Sequence, residues 1–260
     1  TSVSSYRPIA LTNCMCKLIE RMINWRLLNI LEEKSFLNPY QSGFRTGRSS
    51  IDSLVRLESA IRGAMLEGKY CMGIFLDISK AFNTVWHQGL LLKMKQLGLQ
   101  GNLPTFIEQF LYIRTIKVKC LSTLSDSFPL FSGVPQGSVI SPTLFSIMIN
   151  DLFEGLDTSI EYSLYADDGA FWYVSQDLTD TVTSMQRALN SVEAWVHRWG
   201  LQISDDKTKA VLFTLCRPRV IPPIYFQNTQ IEYVSTKRFL GVILDSKLTW
   251  GPPIAPLLPQ

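Results

Sequence analysis

The stretch SLYADDGAFWYV, Ser163 to Val174, places two adjacent carboxylates between two apolar, aromatic-rich runs. This pattern predicts two antiparallel strands joined by a tight turn that carries Asp167 and Asp168. Two like charges side by side repel each other, so the arrangement needs compensation. A divalent cation would supply it, because Mg²⁺ binds carboxylate oxygens. Adjacent aspartates are also common in ordinary turns, so the pair alone leaves a structural interpretation open.

Another carboxylate ends the continuous apolar run YCMGIFLD, Tyr70 to Asp77. Such a run is typical of a strand buried on both faces of a sheet. If this strand lies beside the hairpin, Asp77, Asp167 and Asp168 converge at one edge. Two Mg²⁺ ions roughly 4 Å apart at such an edge can activate an attacking oxygen and stabilise a leaving oxygen in phosphoryl chemistry. The three carboxylates therefore predict a magnesium site, with Mn²⁺ as an alternative ion.

The remaining pattern predicts helices interleaved with strands and hairpins, which favours an α+β layer structure. Apolar residues alternate at spacings of four and three over residues 178–199, and Gly200 supplies the stop of this helix. The other predicted helices cover residues 16–31, 52–65, 87–97, 103–113 and 141–153. Further strands are predicted in RTIKVKC (114–120), AVLFTL (210–215) and FLGVIL (239–244).

Composition indicates a globular protein, because 46% of the residues are hydrophobic and 18% are charged. The net charge of +3 permits a nucleic-acid partner. The excess of nine basic over five acidic residues up to Arg62 favours a polyanion partner. The five cysteines are odd in number and are expected to be reduced and structural. No apolar run has membrane-spanning length and no signal peptide is recognisable, which predicts an intracellular protein.

Seven segments occur in an order that resembles the reverse transcriptases of LINE-type, jockey-like non-LTR retrotransposons. The resemblance covers Tyr6 to Trp250 and implies an α+β right-hand polymerase fold with fingers and palm, in which helices pack on one face of a mainly antiparallel palm sheet. The segments are YRPIALTNCMCKLIERMI, NPYQSGFRTGRSS, FLDISKAFNTVWH, GVPQGSVISPTLF, YADD, WGLQISDDKTKAV and FLGVILD.

The resemblance assigns metal-binding and catalytic roles. Asp77 and Asp167 match the two metal-binding aspartates of the family, and Asp168 matches the second acidic residue of its hairpin. The backbone carbonyl of Ile78 would be a further metal ligand. Lys207 matches a lysine that protonates the departing pyrophosphate or holds its charge, although a plain surface lysine fits the sequence equally well.

The resemblance also assigns nucleotide-binding roles. Phe82 matches the aromatic residue whose ring excludes a 2′-hydroxyl, with a core phenylalanine as the alternative. Gln136 and Gly137 would border the nucleotide and the template, and a glycine suits such close approach. Arg45 would bind the triphosphate or the template, because guanidinium groups pair with phosphate, with a solvated surface arginine as the alternative. Asn83 stands where these elements usually carry Asp, and this change is expected to be tolerated because the metal-binding Asp77 is retained.

The resemblance divides the chain into fingers over residues 1–69, a palm over residues 70–250 and a proline-rich tail over residues 251–260. Further fingers elements are expected within about residues 90–130. The thumb is expected to be absent, since the chain stops shortly after FLGVILD. The sequence is thus expected to be an isolated polymerase core or a degenerate copy cut short.

The implied function is an RNA-directed DNA polymerase that copies an RNA template by extending a DNA primer with deoxynucleoside triphosphates. It is expected without a membrane partner, in the nucleus and cytoplasm, and the sequence leaves its oligomeric state open. One alternative is an inactive copy that only binds RNA or primed template. A second alternative is a metal-dependent nuclease, which the nucleotide-facing Phe82 and Gln136 argue against.

Overall fold

The computed structural model of the chain describes residues 9–216 and 220–249. Within these residues the helices are α1 (Cys14–Glu33), α2 (Ser50–Leu66), α3 (Ala81–Thr84), α4 (His87–Gln96), α5 (Leu103–Tyr112), α6 (Ser141–Ile149) and α7 (Leu178–Trp199). The strands are β1 (Tyr70–Asp77), β2 (Thr115–Ile116), β3 (Lys119–Cys120), β4 (Thr123–Leu124), β5 (Phe128–Pro129), β6 (Glu161–Tyr165), β7 (Asp168–Ser175), β8 (Lys209–Phe213), β9 (Tyr225–Phe226), β10 (Thr229–Gln230), β11 (Glu232–Tyr233), β12 (Thr236–Phe239) and β13 (Val242–Asp245).

The centre of the molecule is a five-stranded sheet in the order β11-β8-β1-β7-β6. All neighbouring strands are antiparallel except β11 and β8, which are parallel. The middle strand β1 is buried from Cys71 to Leu76, as its continuous apolar run predicts. The mixed α+β class with an antiparallel sheet is therefore confirmed.

Both faces of the sheet are covered, because successive side chains of β1 point to opposite sides. Met72, Ile74 and Leu76 join a large core with residues of α4, α6 and α7. Cys71 and Phe75 face the other way, into a second core with α2 and the β12–β13 hairpin. The expectation that helices pack on one face only is wrong, since α2 packs on the opposite face.

Three local predictions differ from the structure. FLGVIL is a hairpin, because Leu240 and Gly241 both adopt positive φ (47° and 88°) and turn the chain between β12 and β13. RTIKVKC is divided between β2 and β3. The helix predicted over residues 141–153 ends at Ile149, where the Asn150 side chain instead bonds the segment before α2 by donating to the Phe36 carbonyl (2.8 Å).

Helix α7 confirms its prediction from end to end. The Asp177 side chain caps its first turn by accepting from the Thr179 amide, and Gly200 ends it in the left-handed conformation. Trp195 and Trp199 are buried, so they belong to the core and are not exposed for base stacking. All five cysteines are free thiols. No helix in residues 9–216 and 220–249 has the length and apolar character needed to cross a bilayer.

Candidate active site

The sheet register places two of the predicted aspartates directly opposite each other. β1 and β7 pair along their whole length, from Tyr70 opposite Ser175 to Asp77 opposite Asp168. Directly opposed residues on antiparallel strands hold their Cβ atoms about 4.5–5.5 Å apart. The edge of the sheet that the sequence predicts as a carboxylate site is therefore built by the ends of β1 and β7.

Asp167 lies on the two-residue turn that joins β6 to β7 and is exposed. The other turn residue, Ala166, has a φ of 56°. Positive φ at the first of two turn residues is the requirement of a type II′ hairpin turn, where glycine is usual. The alanine carries a small backbone strain in the turn that presents Asp167.

The charges at this edge act on one another. Burial raises the pKa of the Asp168 carboxyl, and the neighbouring Asp167 and Asp77 carboxylates raise it further. Lys207 and Lys237 oppose this rise. Burial in turn lowers the pKa of Lys237, while Asp77 acts in the other direction. Burial and the neighbouring carboxylates thus disfavour the charged form of Asp168, and a bound cation would offset this penalty.

The side chains do not form a ready-made set of three ligands. Among the residues that the structure describes, no group of three or more His, Cys, Asp or Glu side chains is arranged to hold a metal ion. Asp77 instead accepts from the Lys207 ammonium (Nζ to Oδ2 3.2 Å). This lysine is 64% exposed, and exposed ion pairs contribute only about 0–1 kcal/mol, so a metal ion could displace it at little cost.

The backbone at Ile78 fits the donor chemistry of a magnesium site. The Asp77 carbonyl accepts from the Ser204 amide (2.8 Å) and the Ser79 amide donates to the Gln202 carbonyl (2.8 Å). Because successive backbone groups of a strand point to alternate sides, the Ile78 carbonyl points toward the β7 side, where Asp168 lies. The two strand ends therefore offer carboxylate and carbonyl oxygens, the ligand type that Mg²⁺ prefers.

Residues 40–43, within the segment NPYQSGFRTGRSS, form a clamping segment against the carboxylate hairpin. The Leu164 amide donates to the Tyr40 carbonyl (3.0 Å), and the Ser42 amide donates to the Leu164 carbonyl (2.8 Å). A Cβ on Gly43 would lie 2.3 Å from the Ala166 nitrogen, closer than any real contact allows. A glycine is thus needed for segment 40–43 to reach the turn, and local sequence patterns do not reveal such long-range contacts.

Phe82 is half-buried and lies in a group of three aromatic rings. It stacks on Phe145 with ring centroids 5.0 Å apart, and the exposed Phe44 approaches it edge-on at 6.4 Å. Phe145 packs against one side of the Phe82 ring in the core, while the rest of the ring is partly accessible to solvent. Phe44, which no pattern in the sequence singled out, joins the clamping segment to this ring.

Gln136 and Gly137 lie on a loop that packs against the chain before α1. The Gln136 carbonyl accepts from the Ala10 amide (2.7 Å), and the Gln136 side-chain amide donates to Asn83 Oδ1 (3.2 Å). Gly137 has a φ of 102°, and a Cβ there would lie 2.8 Å from the Ala10 carbonyl oxygen. The close approach that this glycine permits is therefore made by the chain itself.

The buried carboxylate of Glu20 holds the next residues of that loop. Its Oε2 accepts from the Ser138 hydroxyl (2.6 Å) and from the Val139 amide (2.6 Å). Glu20 is 5% exposed although it lies on α1, whose other carboxylates are exposed. No local pattern singles out Glu20 in the sequence, because Lys17 and Arg21 lie close to it as they would on an exposed helix face.

Arg45 is engaged within the protein. Its guanidinium makes a two-point ion pair with Glu32 (Nη2 to Oε2 2.7 Å and Nε to Oε1 2.9 Å) and donates to the Asn38 carbonyl (2.9 Å). These contacts fold the segment between α1 and α2 and leave the side chain 10% exposed. Arg48, two residues after Thr46 on the same loop, is exposed.

Comparison with known proteins decides the family. The family model described as "Reverse transcriptase (RNA-dependent DNA polymerase)" matches residues 1–244 of this sequence. The chain belongs to the reverse transcriptase family. The resemblance inferred from its motifs is confirmed.

The relatives are retrotransposon proteins. The chain is 35% identical to the probable RNA-directed DNA polymerase from transposon BS of Drosophila melanogaster, over 96% of this chain and 28% of that protein. It is 33% identical to the RNA-directed DNA polymerase from mobile element jockey of the same species, over the same shares. The chain therefore spans less than a third of these curated relatives.

Solved telomerases share the fold. The structure of apo telomerase from Candida tropicalis, truncated from its C-terminal domain, has a TM-score of 0.60 and 15% identity, and it covers 90% of this chain and 44% of that chain. Telomerase from the same organism in complex with a fragment of telomeric RNA has a TM-score of 0.58 and 12% identity, and covers 93% of this chain and 38% of that chain.

Proposed function

We propose that this chain is the core of an RNA-directed DNA polymerase from a non-LTR retrotransposon, which copies RNA into DNA. The observation that carries the proposal is the pairing of Asp77 with Asp168 at the end of β1 and β7, beside the turn with Asp167. An acidic strand edge in a reverse transcriptase relative supports nucleotidyl transfer, in which a primer 3′-hydroxyl attacks the α-phosphate of a deoxynucleoside triphosphate.

The central sheet supports a division of the chain into fingers and palm, and the proline-rich tail over residues 251–260 lies outside the described residues. Residues 70–250 form the palm, with the five-stranded sheet at its centre, and residues 1–69 form the fingers. The elements within about residues 90–130 belong with the fingers. Contacts of segment 40–43 with the hairpin turn support this division, because they bring the first region onto the acidic edge of the second.

Asp77, Asp167, Asp168 and the Ile78 carbonyl would hold Mg²⁺, with Mn²⁺ as an alternative. When bound, Mg²⁺ supplies charge neutralisation at the reacting phosphates. The chain positions the ligands by strand pairing and keeps negative charge concentrated at this edge. Lys207 lies against Asp77 and supplies positive charge or a proton at Nζ to the departing pyrophosphate.

The nucleotide lies against Phe82 and Gln136. The Phe82 ring is fixed on Phe145, so a 2′-hydroxyl would collide with it and deoxynucleotides are selected. Asn83 accepts from the Gln136 amide and orients that side chain. An aspartate would accept the same hydrogen bond, which supports tolerance of Asn at this position. Arg45 shapes the neighbouring loop and would have to release Glu32 to bind a triphosphate.

Primer extension tests the proposal. The purified 260-residue chain receives a DNA primer annealed to an RNA template, deoxynucleotides and Mg²⁺ or Mn²⁺. Extension is expected from the wild type and from the Asp126→Asn control, whose carboxylate is exposed and remote from the acidic edge in sequence. The Asp167→Asn, Asp168→Asn double variant is expected to be inactive.

Two results would contradict the proposal. RNA binding by the wild type without any extension favours a protein that only binds primed template. Degradation of single-stranded nucleic acid that disappears in the double variant favours a nuclease.

A further inference from the structure

A cavity of about 410 Å³ lies beside the loop that carries Gln136, and none of the three site aspartates lines it. One wall is formed by residues 114–117, which include β2, and another by the loop 132–136. Asn83 and the segment Ile9–Ala10 close the remaining sides. The volume falls within the roughly 300–1,000 Å³ of small-molecule sites, enough for one nucleotide unit. We call it the Arg114 pocket.

The charge lining the Arg114 pocket has one sign. Among the residues that the structure describes, Arg114 and Lys117 are the only ionisable ones that line the pocket, and both are basic. Arg114 is half-buried and donates through Nη1 to the Gly133 carbonyl (3.2 Å), which fixes the guanidinium and leaves other donors of its planar fork for a ligand. Lys117 is exposed at the rim. An anion is therefore the favoured occupant, and phosphate is the anion that a guanidinium matches best.

The other lining groups fit the rest of a nucleotide. Asn83, Ser132 and Gln136 offer amide and hydroxyl groups, while Leu130 and Ile116 supply apolar surface. Proteins bind nucleic acid strands by combining phosphate contacts from basic side chains with polar contacts to the sugar and base. A free inorganic anion would leave the apolar wall unused.

The pocket adjoins the proposed nucleotide site, and its charge distinguishes its occupant from the incoming nucleotide. Asn83 directly follows the proposed sugar contact Phe82, and Gln136 is shared between the pocket and the nucleotide site. The pocket has no carboxylate, so a phosphate there is neutralised by Arg114 and Lys117 without metal. This is the situation of a phosphodiester group in a strand, whereas the triphosphate belongs at the acidic edge.

We propose that the Arg114 pocket binds a nucleotide of the template strand next to the nucleotide being copied, with its phosphodiester group at Arg114 and Lys117. The inference rests on the proposed polymerase function and names a binding site for its template. The recognised chemistry is shared by RNA and DNA templates, because the basic groups contact phosphate.

Equilibrium binding without catalysis tests this proposal. Fluorescence anisotropy measures the affinity of the chain for 5′-labelled oligo(U) RNA and oligo(dT) DNA, without metal or deoxynucleotides, at several salt concentrations. Lys117→Gln is expected to weaken binding by about threefold to tenfold and to reduce the slope of log K against log salt by about 0.7, the value for one phosphate contact on a single strand.

Lys119→Gln is the matched control. Lys119 is exposed two residues further along, carries the same charge and does not line the pocket. The Lys119→Gln chain is therefore expected to keep the affinity and the salt slope of the wild type. Arg114→Lys keeps the positive charge but loses the planar guanidinium fork, so an intermediate loss of oligonucleotide affinity is expected. Thermal melting of each variant separates a binding loss from a folding loss.

Equal losses of affinity in Lys117→Gln and Lys119→Gln, or no loss of affinity in Lys117→Gln, would refute the assignment of the pocket. So would a wild type that binds neither oligonucleotide. A Lys117→Gln variant that loses affinity for a labelled deoxynucleotide but keeps its affinity for RNA would assign the pocket to the triphosphate instead. If Lys117→Gln alone loses affinity and the wild type extends no primer, the pocket assignment stands and the polymerase function is refuted. If the wild type extends the primer and Lys117→Gln binds RNA as tightly as the wild type does, the polymerase function stands and the pocket assignment is refuted.

Discussion

Replacing Glu20 tests whether one buried carboxylate holds the loop that carries Gln136 and Gly137. Glu20→Ala removes the acceptor of both the Ser138 hydroxyl and the Val139 amide. A hydrogen bond to a charged group contributes about 1.5–3 kcal/mol, and a buried donor left without a partner costs about 1–3 kcal/mol. Since the Val139 site is only half-buried, water can reach it, and we expect a total loss of about 3 kcal/mol of unfolding free energy.

For a chain of this size, that loss corresponds to a fall in melting temperature of roughly 6–12 °C, at about 2–4 °C per kcal/mol. Glu20→Gln keeps an acceptor oxygen and is expected to lose less than half as much. Glu33→Ala, at an exposed position on the same helix, serves as the control for the helix itself. Differential scanning calorimetry and urea unfolding measure the difference.

The same variants report on function. If the loop shifts when Glu20 is lost, the KM for deoxynucleotide should rise more than kcat falls, and Glu20→Gln should restore most of the loss. A Glu20→Ala chain as stable as Glu33→Ala would refute the reasoning. So would a Glu20→Gln chain as damaged as Glu20→Ala, because the acceptor oxygen would then be irrelevant.

Three further changes give measurable outcomes. Phe82→Ala should relax discrimination against ribonucleotides in primer extension, and an unchanged ratio of deoxynucleotide to ribonucleotide incorporation would remove its assigned role. Gly43→Ala places a Cβ 2.3 Å from the Ala166 nitrogen and should cost about 1–3 kcal/mol of stability together with most of the activity. Gly155→Ala, which meets nothing within 4 Å, should be nearly neutral in both assays, and equal effects would argue against the clamp. Burial lowers the pKa of His87 below 6.5, so its protonation opposes folding; its contribution is complete above pH 6.5 and is lost as the pH falls through the folded pKa. His87→Gln should therefore show a smaller drop in the urea midpoint than the wild type between about pH 7 and about pH 5, and equal drops would contradict this.

Local pattern predicted the elements whose geometry is set by their own residues. The apolar run ending at Asp77 is typical of a strand buried on both faces, and the apolar spacing over residues 178–199 predicts one helix that ends at Gly200. Placing that strand beside the hairpin predicted that the aspartates share one edge of the sheet, and the structure adds the register that sets Asp77 opposite Asp168. Regular spacing identifies such elements, because buried positions recur about every 2 residues in a strand and about every 3.6 residues in a helix.

Contacts between distant segments could not be read from the sequence. Glu20 on α1 bonds a loop more than a hundred residues later, and Gly43 reaches the turn at Ala166. A polar side chain buried by such a contact looks like any surface residue in a local window. Arg45 shows the same limit, because its partner Glu32 is set by the fold of the connecting loop. The hairpin in FLGVIL was missed because Leu240 adopts a positive φ that leucine rarely takes.

A metal ion held at the Asp77–Asp168 edge would contact the reacting phosphate, and sulphur substitution tests this most directly. Primer extension on an RNA template is measured with deoxynucleotides and with their α-thio analogues, in Mg²⁺ and in Mn²⁺. Because Mn²⁺ accepts sulphur better than Mg²⁺ does, we expect the α-thio substrate to be extended slowly in Mg²⁺ and to recover in Mn²⁺. The same slowing in both ions would contradict the account.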